Sequence, residues 1–81
     1  MNMQQLPEAD IVLDVSGLNC PLPILRTRAM LNEMQQGEVI KVIATDPLAP
    51  LDFRSYSARS DNDLLDLSEV EETMTFLIKK G

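Results

Sequence analysis

Cys20-Pro21-Leu22-Pro23 contains the single cysteine of the chain, and no histidine accompanies it anywhere. A lone thiol without an imidazole cannot form a Cys–His dyad, a Ser–His–Asp triad or a His-based metal centre. It also excludes an internal disulfide and any cysteine-rich zinc site. What remains is the chemistry of one sulfur nucleophile that has no internal base and no internal resolving thiol. The two prolines bracket one residue directly after it. Each fixes φ near the helical value and lacks a backbone N–H, which suits the first turn of a helix and little else. The spacing therefore predicts a rigid helix start with Cys20 at or beside the N-cap and a helix from residue 21. At that end the helix dipole favours a thiolate, and Arg26 and Arg28 add positive charge just beyond. Leu22 is then the one free backbone donor of the turn, since the Ile24 N–H serves the ladder.

The flanking segments must position this turn. Ile11-Val12-Leu13-Asp14-Val15 is rich in β-branched residues and alternates, so it predicts a strand; Ser16-Gly17-Leu18-Asn19 is a tight loop that delivers Cys20. Residues 21–36 predict a helix ended by Gly37, with Ile24, Thr27, Met30, Leu31 and Met34 on one arc and Arg26 and Glu33 opposite. Residues 38–44 form the strongest strand pattern, parallel to the first strand after a right-handed crossover. Asp46 and Pro47 suit a helix start, but Pro50 would delete a ladder bond, which places the regular helix at about 49–59. Leu51, Phe53 and Tyr56 are its expected anchors. Residues 63–68 and 73–79 predict two more strands, joined by the acidic loop 69–72. The order β-α-β-α-β-β, with both helices on one face, implies an α+β fold: a two-layer sandwich over a mixed four-stranded sheet.

At 81 residues the chain reads as a single domain, with residues 1–9 as a frayed leader. A chain this short buries only about 60% of its unfolded surface, so the core is thin. The apolar fraction of 44% suffices for a globule, and no apolar run approaches a membrane span of about 20 residues. The first residues lack the basic and apolar regions of a signal peptide, which points to the cytoplasm. A net charge of −6 argues against direct nucleic-acid binding.

The pattern Asp14-x-x-Gly17-x-x-Cys20-Pro21-x-Pro23, with Thr45-Asp46-Pro47 after the next strand, resembles the TusA-like family of small sulfur carriers. The match covers about residues 11–80. The resemblance implies that Cys20 holds sulfane sulfur as a persulfide, with Pro21 and Pro23 as its scaffold. It implies a cysteine desulfurase or a rhodanese-type protein as donor and a downstream protein as acceptor. Asp14, Gly17 and Asp46 match recurring family positions with structural or partner-facing roles. Members of the tRNA-thiolation relay carry an acidic residue between the prolines, where this chain has Leu22. Other destinations are therefore open, including molybdenum-cofactor enzymes and sulfur oxidation.

No bound cofactor is implied, because pyridoxal phosphate would belong to the donor. The role expected is a sulfurtransferase-like carrier with a cysteine persulfide intermediate. Its first rival is a non-enzymatic interaction or regulatory module in which Cys20 is structural. A thiol-redox protein ranks last, because Pro23 stands where a Cys-x-x-Cys motif needs its second thiol.

Overall fold

A computed structural model of the chain describes residues 7–81. The elements run β1 (Ile11–Asp14), α1 (Leu22–Glu33), β2 (Val39–Ala44), α2 (Ala49–Ala58), β3 (Asp63–Val70) and β4 (Thr73–Lys79). They form one four-stranded sheet in the order β1-β2-β4-β3. β1 and β2 are parallel, whereas β4 runs antiparallel to both β2 and β3. The expected order and mixed sheet are therefore the observed ones. Of the leader reading at 1–9, residues 1–6 lie outside the described residues, and 7–9 have no regular structure.

Alternation decides which face is covered. Ile40, Val42 and Ala44 on β2 pair with Ile78, Phe76 and Met74 on β4, and all six are buried. Leu31 and Met34 from the α1 side and Ala49 and Phe53 from α2 complete the same core. Both helices thus cover one face of the sheet. The Phe53 ring stacks on Phe76 with centroids 4.1 Å apart, so α2 is anchored at the centre of the sheet.

Several boundaries differ from expectation for local reasons. Helix α1 ends at Glu33, short of residue 36, because Met34 turns to an extended ψ of 156° and buries its side chain. Gly37, at φ +94°, instead belongs to the turn into β2, where its N–H reaches the Lys80 carbonyl at 2.8 Å. Strand β1 stops at Asp14, although Val15 still donates to Ile43 O at 2.8 Å. Strand β2 starts at Val39, one residue later than read.

In α2, Leu51 is not an anchor. It is 69% exposed, while Ala49 and Phe53 occupy the buried positions. The loose spacing of Leu51, Phe53 and Tyr56 was compatible with two faces, and contact with β4 chose the one that includes Phe53.

The acidic loop is shorter than expected. Glu69 and Val70 belong to β3, paired with Met74 and Thr73, which leaves Glu71 and Glu72 as the turn. Glu71 has φ +58°, a left-handed conformation that costs a non-glycine residue about 1–2 kcal/mol. Glycine removes that cost but adds about 0.4–1 kcal/mol of unfolded-chain entropy. Glu71→Gly should therefore stabilise the fold by about 0.5–1 kcal/mol, read as a higher denaturant midpoint at unchanged slope. A lower midpoint would show that the Glu71 side chain contributes more than its backbone costs.

Candidate functional site

The loop that carries Cys20 is fixed by its own hydrogen bonds. Asp14 Oδ1 accepts from the Ser16 hydroxyl at 2.6 Å and from the Ser16 N–H at 2.9 Å. These two bonds hold the Asp14 carboxyl below its usual range, with the hydroxyl bond the larger cause. Their contribution is present above the unfolded value and is lost as pH falls through the lowered one. Gly17 adopts φ +83°, which only glycine takes without strain, and donates its N–H to Thr45 Oγ1 at 2.9 Å. This bond ties the loop to the segment leaving β2. Asp14 and Gly17 therefore shape the loop.

The helix start differs by one residue from the sequence expectation. Pro21 is the N-cap and Pro23 lies in the first turn, so Cys20 sits just outside the helix. Pro23 is buried, and its carbonyl accepts from the buried Thr27 hydroxyl at 2.8 Å. The Leu22 N–H is not free, because it donates to Asn19 O at 2.8 Å. With no donor from Pro21, Leu22 or Pro23, the turn offers the sulfur little of the polar cradle that a helix N-terminus normally presents.

Cys20 is exposed and unbridged. It lies at a cleft of about 200 Å³ between the two helices, shared with Ile24 and Arg28 of α1 and Asp52, Tyr56 and Arg59 of the α2 side. Its Sγ donates to Asp52 Oδ2 at 3.2 Å. That hydrogen bond, followed by partial desolvation and the negative charges of Asp52 and Asp46, pushes the Cys20 thiol up from its ordinary value. The Asp52 carboxylate therefore opposes the activation expected at the helix start. Asp52 is the charged group in hydrogen-bond contact with the sulfur, while Arg28 and Arg59 line the same cleft.

A raised value means that the proton leaves the sulfur at higher pH than it leaves an unstructured thiol. Alkylation by iodoacetamide should accordingly be slower at neutral pH than for an unstructured thiol. Its midpoint should lie above the free-cysteine value of about 8.5. A midpoint below that value would show that the helix end outweighs Asp52.

The supporting residues divide. Arg26 is exposed on α1 and does not line the cleft. Arg28 does, with its guanidinium 5.8 Å from the Tyr56 ring centroid. Tyr56 is held in turn by Asn62, whose Nδ2 donates to the phenol oxygen at 2.7 Å. Asp46 is 6% exposed and accepts from the Leu48 N–H at 3.2 Å through Oδ1. Its carbonyl accepts from the Ala49 N–H at 2.9 Å, so it shapes the approach to α2, whose N-cap is Leu48. Asp46 Oδ2 is buried with no hydrogen-bond partner among the described residues.

Asp52 and Arg59 were not read from the sequence as site residues. Their signal was available: Asp52, Tyr56 and Arg59 recur at i, i+4 and i+7, one face of a helix. Nothing in that spacing, however, says that the face meets the Cys20 loop.

The family model for the sulfurtransferase TusA matches residues 11–80. The chain belongs to that family. It is similar to the sulfur carrier protein TusA of Allochromatium vinosum, at 47% identity over 76 residues, which cover 94% of this chain and 100% of the relative. The SirA-like protein of Desulfitobacterium hafniense, solved by crystallography, shares the fold. Its TM-score is 0.77 at 20% identity, covering 88% of this chain and 97% of that one. In this family member the motif cysteine thus lies beside an aspartate from the second helix.

Proposed function

We propose that this protein carries sulfane sulfur as a persulfide on Cys20, accepting it from one protein and delivering it to another. The single observation that supports Cys20 as the carrying atom is its exposure at the open cleft, as the one thiol of the chain. Membership in the sulfurtransferase family supports the carrier role itself. The Cys20 sulfur attacks the outer sulfur of a donor persulfide, a new S–S bond forms on Sγ, and the donor's own S–S bond breaks. The donor sulfur leaves as a thiolate and takes up the proton that Cys20 gives away. Thiol plus persulfide thus becomes persulfide plus thiol, with no net oxidation.

A cysteine desulfurase or a rhodanese-type protein is the donor class that fits this chemistry. A site open to solvent suits a group that two proteins must reach in turn. The lack of a second cysteine protects the cargo, since an internal thiol could attack the persulfide and release sulfide. A lone reduced thiol also fits the cytoplasm, and no helix among the described residues is long and apolar enough to cross a membrane. The test is loading: a desulfurase with pyridoxal phosphate and free cysteine, or a rhodanese with thiosulfate, should add one sulfur atom. If neither donor loads an alkylation-competent Cys20, the interaction-module reading replaces this one.

A further inference from the structure

A thiol and a persulfide differ in what the inner sulfur can donate. In the empty protein Sγ carries one hydrogen and gives it to Asp52 Oδ2 at 3.2 Å. Once a second sulfur is attached, Sγ has no hydrogen and becomes a weak acceptor only. The carboxylate then faces sulfur lone pairs with nothing between them. The outer sulfur adds to the conflict, because a persulfide S–H is more acidic than a thiol and is largely ionised at neutral pH. It is held only about 2.05 Å from Sγ, so the new negative charge stays close to the carboxylate. Asp46 adds negative charge as well, while Arg28 and Arg59 line the same cleft as the sulfur. The contact that attracts the empty sulfur therefore repels the loaded one.

We propose that Asp52 is a positioning residue that separates the two states of the carrier: it holds the empty thiol against α2 by accepting its hydrogen, and it turns the loaded persulfide away from α2 toward the mouth of the cleft. This rests on the carrier reading of Cys20. The empty protein is thereby kept unreactive toward stray electrophiles, whereas the cargo is presented outward. An aspartate suits both tasks, since an ionised carboxylate accepts hydrogen bonds and donates none. An asparagine in its place offers an N–H donor, which would hold a persulfide anion in the cleft.

The test uses one neutral reagent on both states of wild type, Asp52→Asn and Asp52→Glu. Loading with inorganic polysulfide avoids any dependence on donor docking: Cys20 thiolate takes one sulfur and the polysulfide is left one atom shorter. Iodoacetamide then alkylates either the empty thiol across a pH series or the outer sulfur at mildly alkaline pH, where the persulfide is ionised in every variant. Intact mass reads each product.

The expected result is a reversal. Empty Asp52→Asn alkylates severalfold faster than wild type at neutral pH, with its midpoint moved down, while loaded Asp52→Asn alkylates severalfold more slowly. Asp52→Glu keeps the carboxylate and falls on the wild-type side in both arms. A merely structural role would change both states in the same direction, and that outcome overturns the proposal. An unmoved midpoint in Asp52→Asn overturns it as well. A wild type that takes up no sulfur at all overturns the carrier reading and this proposal with it, whereas loading without reversal overturns the proposal alone. Asp52 is half-buried and asparagine has its shape, so the fold should persist; an unfolding curve confirms it.

Discussion

Cys20→Ser should abolish sulfur loading completely while leaving the fold intact. Cys20 is the one thiol of the chain, so no other side chain can form a persulfide with the donor. The substitution is mild structurally. The side chain is exposed, and a serine hydroxyl can still donate to the Asp52 carboxylate that accepts the S–H at 3.2 Å. A surface change that keeps its hydrogen bond typically alters stability by less than about 0.5 kcal/mol. Intact mass after donor treatment should show one added sulfur atom in the wild type, removable by a reducing thiol, and none in the variant. An adduct on Cys20→Ser would place the sulfur elsewhere and end the assignment. Equal biological function of the two proteins would instead favour an interaction module in which the thiol is structural.

The largest stability effect should come from Phe53→Ala. Phe53 is 0% exposed and stacks on Phe76, itself buried at the centre of the sheet. Truncating a buried phenylalanine removes its transfer free energy and leaves a cavity, at a total cost of about 3–5 kcal/mol. A domain of this size has a total stability of about 4–12 kcal/mol. The variant should therefore lie near the edge of folding, with a much lower denaturant midpoint. Activity should fall with it, because α2 carries Asp52 one residue before Phe53 and the cleft depends on that helix. A loss below about 1 kcal/mol would mean that the core collapses around the gap and that α2 is held mainly from elsewhere.

Arrangement along the chain was legible because it rests on local physics. Alternating β-branched runs, two prolines at a helix start and a glycine loop each act within a few residues of themselves. They determined the element order, the mixed sheet and the placing of Cys20 between a strand and a helix. The end of α1 and the true length of the acidic turn were not legible in the same way. Met34 leaves the helix where its side chain is buried and the chain turns toward β2, and Glu69 pairs with Met74 across a hairpin. The first depends on burial against residues distant in sequence, and the second on how two adjacent strands pair across their turn.

The state of the thiol belongs wholly to the tertiary structure. Read locally, the helix dipole, Arg26 and Arg28 all favour a thiolate. The fold places Asp52 against the sulfur from 32 positions away, with Asp46 adding its charge, while Arg26 stays in solvent. That hydrogen bond to a carboxylate favours the protonated sulfur, and it acts at a helix end where two prolines remove backbone donors. The presence of one thiol between a strand and a helix was therefore determined by the sequence, and how that thiol is held was decided by packing α2 beside the Cys20 loop.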